Sequence, residues 1–353
     1  MGLSGQVSGA DPIELDGVPV ARLRRERVAP GLRAAGLGGM KREGALVREA
    51  RGLYRLLRLT RMTAGLYRTG RILGRFDVVH ANDLDTLPAA WLLARASGAR
   101  LVYDAHELYT DQEPDPPRLH RAVARTLEGV LARRADAVVT VSEPIAEELQ
   151  HRLRLRETPA AVLNAPERED AEPPPREVGP LRAIYQGAMG PGRPLEDLLV
   201  AAEHAPEVRF TLRLAGADPG ALRKSAAHLP NVEVVDPVPP DRLVEALRGY
   251  DVGLVINRPV TRNDELVFPN KLFEYLMAGL AVAVPRLPGM TPLVEGERVG
   301  VTFEPGRPQL IGEALMRLDR DTLVQMQLRA RGLALARLNA EAQAESLLEA
   351  WRC

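Results

Sequence analysis

Two short polar segments in the first half of the chain follow apolar runs. HANDLDTL carries His80, Asn82, Asp83 and Asp85; YDAHELY carries Asp104, His106 and Glu107. A histidine flanked by carboxylates can accept or donate a proton, or hold a hydroxyl-rich substrate. The same residues have plainer uses. Asp83 or Asp85 can cap the helix that follows, and His80 can be a structural histidine. Two such groups at the ends of neighbouring strands favour a site. The Asp83 and Asp85 spacing also suits a carboxylate pair on a metal, but no further carboxylate cluster supports it, and no metal is expected.

The second half offers two more groups. YQGAMGPGRPLEDLL places Gly187, Gly190, Gly192 and Arg193 between a strand and a helix. Glycines there let the backbone approach a phosphate, the helix N-terminus favours an anion, and Arg193 adds a bidentate donor. No Walker-type lysine follows. In DELVFPNKLFEYLMAGLAVAVPR, residues 264–286, Lys271 and Glu274 are three apart and share one face near the start of a helix. The bland reading is an exposed ion pair. Against it, the chain has only three lysines, Lys41, Lys224 and Lys271, among 47 basic residues. A glutamate behind a helix N-terminus can also accept two hydrogen bonds from a ribose.

These groups need strand ends to hold them. Apolar runs at 76–81, 99–107, 136–142 and 160–166 alternate with helical patterns, and Ser142 is a plausible N-cap. A charged, proline-rich stretch at 167–180 has no periodicity and reads as a linker. A second series follows, with strands at 182–189, 208–216, 231–238, 251–258 and 280–287 and a helix ending at Gly279. The expected organisation is an N-terminal domain at 1–166, the linker, a second domain at 181–330, and C-terminal helices at 331–353 that pack back on the first. Both domains should be doubly wound parallel α/β structures facing each other across a cleft, with ligands at the strand ends. The first strand-like piece is residues 16–23, after a polar lead, so the usual opening strand, Gly-rich turn and helix are expected to be missing or very short.

Composition bounds the rest. Of 353 residues, 45% are apolar and 27% charged, as in a globular protein too long for one ordinary core. No apolar run is long enough to span a membrane, and the start has no signal-peptide pattern. The only cysteine is Cys353, so no intrachain disulfide can form and a reducing, cytoplasmic setting is expected. The 47 basic and 47 acidic residues cancel, but unevenly. Residues 1–76 hold fifteen Arg or Lys against six Asp or Glu, which is +9, leaving −9 for the remainder. From Met40 to Arg75, Arg48, Arg51, Arg55, Arg58 and Arg61 recur at helical spacing, with Leu46, Leu53, Leu57 and Met62 as an apolar side and a break expected near Gly65 or Gly70. This helix is either a solvated domain face or a patch that settles on anionic lipid. Nucleic acid is not expected, because no aromatic stacking pattern is interleaved.

Together these segments resemble a glycosyltransferase of family four. The resemblance rests on HANDLDTLPAA, LVYDAHELY, YQGAMGPGRPLEDLL and FPNKLFEYLMAG in this order, spanning residues 76–286. It implies an α/β, GT-B type fold of two facing Rossmann-like domains. It also implies retaining transfer of a sugar from a nucleotide diphosphate sugar to a hydroxyl, without a metal or other cofactor. By that resemblance Gly187, Arg193, Asn270, Lys271 and Glu274 bind the donor, Glu274 at the ribose. His80, Asn82, Asp83 and Glu107 lie on the acceptor side, and His106 is catalytic. The family pattern has a second glutamate eight residues before Glu274. Leu266 stands there, and Glu265, one place earlier, is assigned its role. The diphosphate loop has Ala188 at its first basic position, and Pro194 follows Arg193. A bacterial enzyme of cell-surface glycan or glycolipid synthesis, peripheral on the inner membrane face, is the first reading. A non-catalytic binding subunit and a nucleotide-sugar epimerase are the alternatives.

Overall fold

The computed structural model describes residues 13–15, 18–20, 44–173, 179–188, 194–216 and 218–352. The chain groups into two compact units. One takes the chain up to Thr140 with Glu147–Ala160 and Ala350 onward; the other takes Val141–Ala146 and Ala161–Glu349. Near the start, β1 (Ile13–Leu15) pairs antiparallel with β2 (Val18–Val20), which falls inside the expected strand at 16–23.

The first unit continues with α1 (Ala45–Leu73), β3 (Val78–Asn82), α2 (Asp83–Ser97), β4 (Arg100–Ala105), α3 (Arg118–Ala132), β5 (Ala137–Thr140), α4 (Glu143–Leu153) and β6 (Ala160–Ala161). The sheet order is β3-β4-β5-β6, with β3, β4 and β5 parallel. Leu101, Val102, Tyr103 and Ala105 of β4 are all buried, as expected of a strand covered on both faces. Ser142 caps α4 as expected, its Oγ accepting from Ile145 N at 3.3 Å.

The expected break in α1 does not occur: the helix runs unbroken for 29 residues. Its glycines serve packing instead. A Cβ on Gly70 would lie 2.5 Å from Leu93 Cδ1 of α2, and one on Gly52 would lie 2.6 Å from Pro117 Cβ. The arginine stripe is real, but it does not face solvent as a free cationic surface. Arg48 pairs with Asp115, Arg51 and Arg55 with Glu113, and Arg58 with Asp85. Asp85 stands on α2, and Glu113 and Asp115 lie in the loop before α3, so these four arginines meet three carboxylates of their own unit. Consequently the leucines on the other side are exposed: Leu46 by 88%, Leu53 by 52% and Leu57 by 53%.

The second unit contains β7 (Arg182–Ala188), α5 (Glu196–Glu203), β8 (Arg209–Ala215), α6 (Gly220–Ala226), β9 (Val232–Val235), α7 (Leu243–Leu247), β10 (Val252–Leu254), α8 (Arg262–Leu266), α9 (Asn270–Met277), β11 (Ala281–Pro285), α10 (Thr291–Gly296), β12 (Gly300–Phe303), α11 (Gln309–Met316), α12 (Arg320–Ala336) and α13 (Ala340–Arg352) up to Glu349. All six strands are parallel in the order β9-β8-β7-β10-β11-β12. One apolar cluster contains Phe210, Leu212, Ala283 and Ile311; another contains Tyr275, Leu276, Val282 and Ala330. Alternate residues of a strand point to opposite faces, so β11 contributes to both clusters and the sheet is buried on two sides. The strand order reverses between β7 and β10. In a doubly wound sheet this is where ligands bind, beyond the carboxyl ends of the strands.

Candidate functional site

The first unit brings most of its predicted residues into one cluster. In the β3–β4 register Asn82 stands opposite Asp104, so both strands deliver their polar ends at the same level. Asp104 Oδ2 lies 3.1 Å from His80 Nε2 and 3.1 Å from His106 Nε2. Asp83 Oδ1 accepts from the backbone N–H of His106 at 3.0 Å, and its Oδ2 stands 3.8 Å from His106 Nδ1. Asp83 therefore does not cap α2, and Asp85 does not either: Asp85 Oδ1 accepts from the Tyr109 hydroxyl at 2.7 Å. Asp83 also holds φ of 58°, an uncommon value outside glycine and one that clusters at functional sites. Asn82 occupies the N-cap position without using its side chain to cap.

Electrostatics follow from this geometry. The hydrogen bond to Asp104 is the main force holding His106 above the usual histidine range; burial works against it, and Asp83 and Glu107 add to it. Burial alone would raise the Asp104 carboxyl. Against that, the hydrogen bonds from His106 and His80, joined by the charges of the two rings, hold it below its usual range. Asp83 is raised by burial, which the charge of His106 offsets only in part. A half-exposed imidazole with raised basicity between two carboxylates suits proton handling at a hydroxyl or a leaving oxygen.

In the second unit, α9 is pinned beside the switch point by Tyr275. Its hydroxyl donates to Leu254 O at 3.2 Å and accepts from Gln186 N at 2.9 Å, so one side chain ties α9 to β10 and β7. Gly253 makes room, because a Cβ there would meet the Tyr275 ring at 2.2 Å. This sets Lys271 and Glu274 against the end of β7. A Cβ on Gly187 would lie 2.6 Å from Lys271 Nζ. Glu274 Oε2 accepts from Gln186 Nε2 at 2.8 Å, while Gln186 Oε1 accepts from Arg213 Nη1 at 3.1 Å. Burial raises the Glu274 carboxyl; the Gln186 hydrogen bond and the charge of Lys271 offset part of that.

Gly187, Lys271 and Glu274 thus come together, with Asn270 as the first residue of α9. Arg193, with Gly190 and Gly192, lies outside the described residues. Glu265 sits on α8, where its Oε2 pairs with Arg262 Nη1 at 2.7 Å, and Leu266 is buried in the core. Among the described residues no group of three or more His, Cys, Asp or Glu is arranged to hold a metal ion. Sequence reasoning missed Gln186, Arg213 and Trp351. The signal for the first two was a polar residue inside an otherwise apolar strand. Trp351 gave none, since nothing near the end of the chain points to His80.

Two parallel α/β units, each with its polar residues at strand ends, define a GT-B type glycosyltransferase fold. The chain belongs to the GT4-like glycosyltransferases: residues 4–166 match the glycosyl transferase 4-like domain, and residues 181–321 match the glycosyl transferases group 1 domain. No curated protein sequence matches it. Among solved structures it is similar to sucrose-phosphate synthase of Thermosynechococcus elongatus, with TM-score 0.67, 16% identity, and coverage of 99% of this chain and 87% of that one. It is also similar to a glycosyltransferase of Rickettsia africae, with TM-score 0.63, 12% identity, and coverage of 94% and 84%. Anabaena HepE, solved with UDP and glucose, gives TM-score 0.61, 15% identity, and coverage of 80% of each chain. At these identities the likeness concerns the fold.

Proposed function

We propose that the protein transfers a sugar from a nucleotide diphosphate sugar to a hydroxyl acceptor with retention at the anomeric carbon, in building a cell-surface glycan or glycolipid. The observation that carries this reading is the grouping of Gly187, Lys271 and Glu274 at the switch point of a sheet in a glycosyltransferase-family domain. Glu274 accepts the two ribose hydroxyls. Lys271 meets the diphosphate where glycine leaves the backbone open. His106, backed by Asp104, handles the proton of the acceptor hydroxyl. Cationic groups and backbone N–H donors stabilise the departing diphosphate, so the step calls for no metal or other cofactor. A thermal-shift screen with nucleoside diphosphates tests donor binding, since a ligand at a hundred times its Kd stabilises by about 2.7 kcal/mol. The anomeric configuration of the product tests retention.

Leu266 favours a second reading. Its side chain is 2% exposed, where the family pattern places a glutamate. A non-catalytic subunit that binds a nucleotide sugar without turnover fits that burial, and turnover by the wild-type protein excludes it.

Among the described residues no helix is long and apolar enough to cross a membrane. We place the protein in the cytoplasm, resting on anionic lipid through α1. The support is the exposed stripe of Leu46, Leu53 and Leu57 together with the exposed Arg61, Arg68 and Arg71. Each arginine near such a surface contributes about 1 kcal/mol. This replaces the whole arginine stripe as the contact, since Arg48, Arg51 and Arg55 are engaged by carboxylates of their own unit.

A further inference from the structure

The cluster around Asp104 has one member from the far end of the chain. Trp351 Nε1 lies 3.1 Å from His80 Nδ1, and the two rings meet edge-on with centroids 5.9 Å apart. Residues from Ala350 onward belong to the same compact unit as His80. We propose that Trp351 is a positioning residue whose indole N–H fixes the His80 tautomer and, through it, the orientation of Asp104 toward His106.

An indole N–H can only donate. His80 Nδ1 must therefore accept, so the ring proton sits on Nε2 and is donated to Asp104 Oδ2 at 3.1 Å. A second proton on Nδ1 would set two N–H groups against each other. His80 is thus held as an Nε2 donor that orients the carboxylate. The same Oδ2 atom faces His106 Nε2 at 3.1 Å, and Asp83 Oδ2 stands 3.8 Å from His106 Nδ1. The groups acting on His106 are Asp83, Asp104 and Glu107, all acidic. Those facing His80 are Asp104 and the indole, which does not titrate. Two histidines thus share one carboxylate oxygen, and the indole fixes which His80 nitrogen reaches it. Take away the indole N–H and either His80 tautomer can face Asp104.

The inference uses the transferase reading only to give His106 its task, so its main test needs no turnover. In protein labelled with nitrogen-15 histidine, the His80 ring should carry its proton on Nε2, with Nδ1 reporting an accepted hydrogen bond. Trp351→Phe keeps the ring and removes the N–H. The Nε2 preference of His80 should then be lost, and the midpoint of His106 should fall as the Asp104 carboxylate loses its fixed orientation. An unchanged His80 tautomer or an unchanged His106 midpoint in Trp351→Phe overturns the proposal. If turnover is measurable, its pH profile should move toward acid with His106; absent turnover in wild type would count against the transferase reading alone.

Discussion

The ammonium of Lys271 lies 4.0 Å from the centroid of the Tyr185 ring, in space that any side chain at position 187 would claim. The ring face holds the cation by its quadrupole. The amine therefore stands fixed at the end of β7. Gly187→Ala should push it aside, and Lys271→Met should delete it. Each should weaken nucleoside diphosphate binding by roughly tenfold, the order of one charge-assisted hydrogen bond. Because both act through one amine, the double variant should be little worse than either alone. Calorimetric titration of the three variants checks this; fully additive losses would mean that Gly187 and Lys271 act separately.

Glu274 must be ionised to accept two hydrogen bonds from a ribose. Its carboxyl titrates above the usual glutamate range because it is buried, and Gln186 offsets part of that rise. Nucleoside diphosphate binding should therefore weaken as pH falls through the raised carboxyl value. In Gln186→Leu that midpoint should move to higher pH, because a hydrogen bond favouring the charged form is gone. The variant should also lose about 1–3 kcal/mol of stability, since Arg213 and Glu274 each lose a buried partner. Binding curves at several pH values measure the shift; a midpoint that stays put removes Gln186 from the site.

Glu128 is 4% exposed and accepts from the Tyr103 hydroxyl at 2.8 Å. Burial pushes its carboxyl up to about 7. The folded chain then holds a proton that the unfolded chain releases near 4.5. The sign follows: the stability tied to that proton is present below 4.5 and lost as pH rises toward 7. The gap amounts to roughly 3 kcal/mol. Glu128→Gln keeps the acceptor and removes the titration. Denaturant unfolding should show wild type losing stability against this variant across that window. A difference that does not change with pH would show that Glu128 is ionised throughout.

The two faces of α1 should respond oppositely. Leu46, Leu53 and Leu57 replaced together by serine should reduce binding to anionic vesicles at little cost in stability, because those side chains are largely exposed. Arg55→Glu should instead destabilise the fold, because it sets a carboxylate against Glu113. Vesicle sedimentation and thermal unfolding separate the two effects. Unchanged vesicle binding by the serine variant removes α1 as the lipid contact.

The parallel α/β series was legible because strands buried on two faces read as apolar runs with glycine and charge between them. β11 lies within 280–287, and α9 ends before Gly279, whose φ of 77° suits glycine. Short pieces escaped. β12, four residues of GVTF, and α8, five residues of RNDEL, are too brief to show a period. The glycines of α1 were read as breaks because a sequence does not show Leu93 and Pro117 packed against them. The same limit hid the turn of the arginines toward Asp115 and Glu113. In the site, Asp104, His106 and Glu274 stood out as polar groups at strand ends and helix starts. Gln186 and Arg213 are neighbours only through the register of β7 on β8, which pairs those two positions.

On the transferase reading, Glu274 holds the nucleoside of a sugar donor that this protein uses. Its most direct test incubates wild type and Glu274→Ala with a panel of nucleotide diphosphate sugars and measures nucleoside diphosphate released. Wild type should act on one donor class, and Glu274→Ala should lose about a hundredfold in kcat/KM, the order of two hydrogen bonds to a charged acceptor. Release by Glu274→Ala equal to wild type, or no release from any donor by wild type, would contradict the account.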